Sequence, residues 1–406
     1  MSTPRSPKSV LEIDRLGLQW LGQESTMAQH HRLSPSARDI NVLTVQGLTD
    51  LEIATLFAKW RWDSEDKQAC TSCGTLDTHY PRRRRRRISR RPASSAIGPN
   101  TGNPSWQCKH CYAVFSLTSG TIFDSTKLSL RLILLGAVIM LTSGNGTSAV
   151  AAMQALGVSY KTAFLMLHRF REVMALDQPT EPIKGIAQMD GGYFCGKPRK
   201  SNVHRPATRS QMMNRYGKQP MPGELKPWEQ AGMSYRNWMK KRNKRVVLAV
   251  TDSSGGRGEG SRSVMVAVAQ MGETELNVRS MAARHVAPGA MIWTDEAGAY
   301  NQLGRDYEHY AVSHAERYVD PEGVTDNHCE SFFSRLRRAE YGVYHGFRPV
   351  NLHFYACEAA WRHTHRRLSK RAQVDRLMSG VLQAALSTRL RGYHAGKGIR
   401  TEILID

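Results

Sequence analysis

Acidic side chains are scarce in this chain. Its 406 residues carry 35 Asp and Glu against 57 Lys and Arg, a formal net charge of +22. Solubility needs far less, so the excess points to a polyanionic partner such as DNA or RNA. A ribosomal or other basic housekeeping protein would share the charge, but not the length or the placement of the few acids. Long apolar runs are also missing: the most apolar stretch, Leu132 to Leu141, is too short to span a bilayer. The first thirty residues are polar and mixed in charge, so no secretory signal is expected. Cysteines are few and odd in number, seven in all, which suits a reducing compartment better than a disulfide framework. These absences predict a cytoplasmic, nucleoid-associated protein with no membrane partner.

Four of the seven cysteines are paired in sequence, as Cys70-Thr-Ser-Cys73 and Cys108-Lys-His-Cys111. The two-residue spacing lets two thiolates converge on one ion, and two such pairs supply the four ligands of a tetrahedral structural Zn²⁺. A zinc ribbon over residues 63–118 follows, with His79 and His110 as unneeded substitutes and Trp106 and Tyr112 beside the second pair. A redox dithiol would not need two matched pairs. Cys195, Cys329 and Cys357 stand singly and read as packing residues. Between the pairs lies Arg82, Arg83, Arg84, Arg85, Arg86 and Arg87, a tract suited to gripping phosphate without reading bases; otherwise it is a solvated loop.

Residues 1–35 read as a flexible extension. Residues 36–62 read as helical, with Leu51, Ile53, Leu56 and Phe57 on one face and Thr49 or Asp50 as cap. Residues 119–177 form a helical region broken at Ser143-Gly-Asn-Gly and at Gly157. Around Gly157, two short helices with Ser159 as N-cap of the second form a helix-turn-helix-like pattern. Lys161, Thr162, His168 and Arg169 would then face a DNA groove, and Ala163, Leu167 and Phe170 the interior; a plain helical hairpin is the alternative. From Gly185 the pattern changes to β-type runs at Gly185–Phe194, Arg245–Asp252, Val264–Gln270 and Ala290–Trp293, then helices after Asn327 and Asn351. Strands first and helices later predict an α+β domain on a mixed β-sheet with flanking helices over 182–370. A basic insertion at 197–244 interleaves Trp228, Tyr235 and Trp238 with many lysines and arginines. Residues 371–406 read as a C-terminal extension.

Few acids make their grouping informative. Asp190 ends an apolar run and precedes Gly191-Gly192, which leaves room for a metal and a phosphate; Asp295 ends Met291-Ile-Trp-Thr in the same way. Asn327 and Glu330 stand three apart, on one helix face. Singly, each has an ordinary reading as a turn or helix cap, and Arg335, Arg337 and Arg338 as a solvated face. Together they suit two divalent ions about 4 Å apart, as phosphodiester chemistry uses, with oxygen ligands fit for Mg²⁺ or Mn²⁺.

Over about residues 40–366 the chain resembles the IS1595-type insertion-sequence transposases. The matching motifs are C-x-x-C-G at Cys70–Gly74, W-x-C-x-x-C at Trp106–Cys111, M-D-G at Met189–Gly191 and T-D before Gly298-Ala-Tyr300. The most specific is N-x-x-E-S-F at Asn327–Phe332, followed by Y-G-x-Y-H at Tyr341–His345 and N-L-x-x-Y-x-x-E at Asn351–Glu358. The resemblance implies an RNase H-like catalytic domain, preceded by the zinc ribbon and helix-turn-helix-like region. It implies Asp190 and Asp295 as catalytic acids, with Glu330 or Asn327 as the third. Arg337 stands where the family has Lys, and Arg362-His-Thr364 where it has R-x-N. The implied activity is DNA cleavage and strand transfer at terminal inverted repeats, by a homodimer or larger assembly on double-stranded DNA. A non-catalytic DNA-binding regulator derived from a transposase and a structure-selective nuclease of the same fold are the alternatives.

Overall fold

The computed structural model describes residues 31–82, 103–195, 226–232, 234–255, 259–270, 272–312, 327–397, 399 and 402–405. Residues 1–30 of the expected extension over 1–35, Arg83 to Arg87 and most of the basic insertion lie outside the described residues; His31–Leu33 form a 3₁₀ turn.

The first layer is helical. The expected helix over 36–62 divides into α1 (Val42–Gly47) and α2 (Asp50–Trp62). Thr49 causes the division: its hydroxyl accepts from the Glu52 N–H while the Glu52 carboxylate accepts from the Thr49 N–H, a capping box. Ile53 and Phe57 are buried as expected, but Leu51 is 78% exposed, because it falls off the stripe that meets the core. Helices α3 (Leu130–Thr142), α4 (Ala149–Leu156) and α5 (Tyr160–Leu176) follow, broken where Ser143-Gly-Asn-Gly and Gly157 predicted. Ser129, Ser148 and Ser159 cap them through side-chain bonds to the third backbone N–H. No single described helix is long and apolar enough to cross a membrane.

The second layer is a five-stranded sheet. In chain order its strands are β6 (Ile186–Phe194), β7 (Arg245–Asp252), β8 (Val264–Ala269), β9 (Met291–Asp295) and β10 (Glu308–Val312). The shorter strands β1 (Gln68–Ala69), β2 (Leu76–Asp77), β3 (Tyr80–Pro81), β4 (Ser105–Gln107) and β5 (Val114–Ser116) belong to the cysteine region. The spatial order is β10-β9-β6-β7-β8. β6, β7 and β8 pair antiparallel, whereas β9 runs parallel to both β6 and β10. Every residue of β8 and all but the last of β7 are buried, as expected of strands covered on both faces. One face packs on α8 (Glu275–His285) and the 3₁₀ helix Gly298–Arg305, through Met189, Val250, Val278, Met281 and Tyr300. The other packs on α9 (Asn327–Ala339) and α10 (Pro349–Thr364), through Val247, Ala249, Cys329, Phe333 and Ala356. Helices α6 (Pro227–Gln230) and α7 (Tyr235–Arg242) are the described part of the basic insertion.

The C-terminal residues are not an extension. Helix α11 (Lys370–Gln383) places Val374, Leu377, Met378 and Val381 in the same core as α2, α3 and α5. Ile405 reaches the sheet, where its N–H donates to the Val268 carbonyl at 2.7 Å, and Glu402 pairs with Arg245 at 2.8 Å. Alternating polar and apolar residues over 371–406 hid this, since the segment divides its apolar side chains between two cores.

One buried ion cluster joins the helical layer to the sheet domain. Arg171 of α5 donates through Nε to Glu358 Oε2 of α10 at 2.7 Å, both side chains almost wholly buried. Arg362 donates to the other oxygen at 3.0 Å, and the Tyr344 hydroxyl adds a bond at 3.1 Å. Burial pushes the Glu358 carboxyl up, but Arg171 and Arg362 more than offset this and hold it below the usual glutamate range. The cluster therefore contributes fully above that range and is lost as pH falls through the lowered native value. Glu358→Ala leaves two buried cations uncompensated, and a loss of about 3–5 kcal/mol is expected, read as a lower denaturant midpoint with retained helical signal.

Candidate active site

The cysteine region is built from two like turns. Cys70 N–H donates to Thr75 O and Gly74 N–H to Cys70 O; Cys108 N–H donates to Ala113 O and Tyr112 N–H to Cys108 O. Strands β1 (Gln68–Ala69) and β2 (Leu76–Asp77) flank the first turn, while β3 (Tyr80–Pro81), β4 (Ser105–Gln107) and β5 (Val114–Ser116) form a small sheet around the second. Cys70 Sγ lies 3.6 Å from Cys111 Sγ, and Cys73 Sγ 3.6 Å from Cys108 Sγ. Ligands about 2.3 Å from a tetrahedral centre stand about 3.8 Å apart, so the quartet fits one Zn²⁺. The Ser72 and His110 N–H groups point at Cys70 and Cys108 sulfur at 3.4 Å. His79 is buried between the turns and bonded to Thr75 O and the Lys109 N–H, so it braces the ribbon. Trp106 stacks on Phe115, whereas Tyr112 is exposed.

In the helix-turn-helix-like pair, α4 and α5 turn by 114° across Gly157, within the range of that motif. Ala163, Leu167 and Phe170 face inward, wholly buried. Lys161 is exposed and Thr162 half-buried. His168 and Arg169 correct the expected groove-facing set. His168 is fully buried against Phe164 and Tyr355, and Arg169 is half-buried with its guanidinium 5.0 Å from the Phe123 ring. Both fall on the stripe that meets the core once α5 runs unbroken to Leu176. Arg82 is exposed; the rest of its tract is outside the described residues.

The acids stand on two neighbouring strands, and only Asp295 ends its strand: the apolar run before Asp190 predicts a strand end there, but β6 continues through the two glycines to Phe194, and Asp190 pairs with Ala249 in mid-strand. The parallel register pairs Gln188 with Trp293; two residues further along each strand stand Asp190 and Asp295. They are thus level, on adjacent strands about 4.8 Å apart, and on one face by the period-two rule. That face is the one covered by α9, since Phe194 belongs to its core while Met189 and Ile292 belong to the other. Helix α9 is fixed there at its first turn. The His328 N–H donates to Gln188 Oε1 at 3.0 Å, Cys329 Sγ to Gln188 O at 3.3 Å, and His328 Nδ1 meets Ser253 Oγ at 2.7 Å. Asn327 and Glu330 belong to the same turn and are exposed beside it. Arg337 is exposed two turns on, its guanidinium 6.0 Å from the Phe194 ring. Among the described residues, the four cysteines are the only group of three or more His, Cys, Asp or Glu whose ligand atoms all lie within 4.8 Å; the acids share a face without reaching that spacing.

Glycines 191 and 192 explain how the layers close on this strand. A Cβ at Gly191 would stand 2.3 Å from the Glu273 carboxyl carbon, and one at Gly192 2.5 Å from the Phe333 ring. Only glycine admits both contacts. Glu273 was not legible in the sequence: it stands in the turn before α8, with no period or motif to mark it. Burial, then the neighbouring Asp295, raises its carboxyl above the usual range. Tyr300 donates its hydroxyl to Glu273 at 3.4 Å. Burial, then Glu273, Asp190 and Asp295, drives that phenol well above its ordinary value, so it remains a donor throughout the physiological range.

Residues 182–364 match the ISXO2-like transposase domain family. The resemblance drawn from the motifs is borne out over these residues. A protein in the transposable element ISH50 of Halobacterium salinarum (strain ATCC 700922 / JCM 11081 / NRC-1), itself described as uncharacterized, is 27% identical over 234 residues, covering 57% of this chain and 69% of that protein. No solved structure matches the chain. A transposase role is supported by the domain and by the mobile-element relative, and the transposase-type domain spans the strands and helix that carry the acids.

The cysteine quartet predicts close to one equivalent of zinc per chain by elemental analysis. Cys108→Ser should lose most of it and expose the ribbon to proteolysis, since structural zinc contributes directly to folding; full zinc content in that variant would refute the site.

Proposed function

We propose that the chain is an insertion-sequence transposase of the DDE/N type, with an RNase H-like catalytic domain. It would cleave and join DNA at terminal inverted repeats. The observation that carries this reading is the level, same-face position of Asp190 and Asp295 beside the first turn of α9. The mixed sheet with helices on both faces supports the fold assignment.

Asp190, Asp295 and Glu330, with Asn327 beside them, are hard oxygen donors suited to Mg²⁺ or Mn²⁺. Such ions, when bound, supply Lewis-acid polarisation and a more acidic water. In the first step water adds to the phosphorus at the element's end, the P–O3′ bond breaks, and a 3′-hydroxyl is released. In the second, that hydroxyl adds to a target phosphodiester and displaces its 3′ oxygen. Glu330 is the stronger candidate for third ligand, because the Asn327 amide is neutral. Arg337 keeps the positive charge that the family supplies as Lys and can clamp a phosphate through two N–H groups. The fully buried Gln188, bonded to the first turn of α9, keeps that helix in register with the acids.

Zinc ribbon, Arg82 to Arg87 and Lys161 would hold the terminal repeats by phosphate contact. Two ends must be joined together, so the working form is a homodimer or larger assembly on double-stranded DNA, acting in the cytoplasm at the nucleoid.

The test is joining of a terminal-repeat oligonucleotide to plasmid DNA with Mg²⁺. Asp190→Ala and Asp295→Ala should each lower the rate at least about a hundredfold, with zinc content and melting transition kept. Joining by Asp190→Ala at the wild-type rate would end the enzymatic reading and leave a DNA-binding regulator. Cleavage of branched or hybrid substrates without joining would instead favour a nuclease.

A further inference from the structure

A cavity of about 50 Å³ lies where α9, α10 and the loop before α4 meet, lined by Asn145, Arg335, Tyr344, Arg362, His363 and Arg366 among others. That space holds several waters, enough for a phosphate group. Among the described lining residues, Arg335, Arg362 and Arg366 stand with one acid, Glu358, which is shared with the buried Arg171; Glu259 acts on Arg366 from behind. The guanidiniums are held in place from behind. Arg335 donates to His363 Nδ1 at 2.9 Å and to Ser331 Oγ at 3.1 Å. His363 is buried and anchored through Nε2 to Ser261 Oγ at 2.6 Å. Arg366 donates to the carbonyls of His363 and Glu259 at 2.9 and 3.0 Å.

Like charges crowd here. Burial, then Arg367 and Arg335, lowers the Arg366 guanidinium below its ordinary value. Burial, then Arg335 and Arg366, holds His363 down to about 3, so it is a neutral acceptor for Arg335 and not a fourth cation. An anion in the cavity would relieve this repulsion. Position suggests which anion. Arg335 stands five residues beyond Glu330 on α9, about 7.5 Å along the helix and about 140° around it, so a strand at Glu330 would have to cross α9 for a later phosphate to reach the cavity. Asn145, which also lines the cavity, belongs to the loop that opens the helix-turn-helix-like pair.

We propose that this cavity is a binding site for one phosphate of the DNA backbone, contacted by Arg335 and Arg366, with His363 as the positioning residue. The inference rests on the DNA-binding part of the proposed function but not on catalysis. It is tested with the full chain, without divalent metal, on a short random-sequence duplex at about 50 to 200 mM salt. Arg335→Gln and Arg366→Gln should each make the salt dependence of affinity shallower by about 0.9 in log–log slope. Arg335→Lys should keep the slope. His363→Ala should weaken binding, with rescue by His363→Gln, whose amide oxygen can accept from Arg335; a merely structural role would show no such rescue.

Inorganic phosphate provides the second arm. It should raise the melting temperature of the wild type and not that of Arg335→Gln. If it does so while both slopes stay at the wild-type value, the cavity takes a free anion and the DNA assignment falls. If neither phosphate nor DNA distinguishes the variants from wild type, the site itself is overturned. Wild-type slopes in well-folded Arg335→Gln alongside a catalytically dead Asp190→Ala would reject this site while leaving the enzymatic reading intact.

Discussion

Glu358 has its side chain almost fully out of water between guanidiniums from two directions. An isolated carboxylate could not remain ionised there, and neither Arg171 nor Arg362 could be buried without it. The cluster is consequently all or nothing: complete, it is neutralised and hydrogen-bonded; lacking one member, it leaves stranded charge. Because Arg171 belongs to α5 and Glu358 to α10, the requirement fixes the helical layer against the sheet domain. Arg362 extends the join by donating to the Ser143 and Met140 carbonyls at the end of α3. Asp177 makes a second tie at the end of α5, accepting from Trp361 at 2.7 Å and Arg376 at 2.6 Å.

That arrangement changes what several motif residues mean. Tyr344 and Glu358 belong to the motifs that carried the family resemblance, and both serve the joint between layers. Thr364, in the place of the family's Asn, accepts from the Val264 N–H at 3.2 Å and so ties α10 to the start of β8. The acids differ from these in being attached to the edge of the packed interior. Strand β6 brings Asp190 level with the end of β9, and two glycines let Glu273 and Phe333 press on it from opposite sides. The site is thus rigid where its backbone is held and open where α9 leaves Asn327 and Glu330 exposed.

Much of this was legible in the residues. The cysteine spacing, the breaks at Ser143-Gly-Asn-Gly and Gly157, and four of the five main strands carried local signals that the fold preserves. So did Asp295, which ends β9 where apolar gives way to polar; Asp190 stands in mid-strand, because β6 continues through Gly191 and Gly192 to Phe194. What was not legible depends on contacts distant in sequence. The edge strand β10 is half-exposed, with no continuous apolar run, and α8 has a polar outer face that weakens its period. His168 and Arg169 looked like surface residues because nothing local marks the side of α5 that Phe123 and Tyr355 occupy. Glu273 needed the tertiary approach to Gly191 to reveal it. Helix α11 read as part of a C-terminal extension because the α2, α3 and α5 residues it packs on lie about two hundred residues or more earlier.

That last feature bears on synthesis. The helices closest to the amino terminus leave the ribosome first, yet the apolar faces of α2, α3 and α5 stay uncovered until residues up to Gln383 have emerged. A nascent or prematurely terminated chain therefore has the cysteine turns and basic residues but no finished interior to present them from. Burial of these faces thus waits on the synthesis of α11, and a fragment truncated before it leaves them open to aggregation.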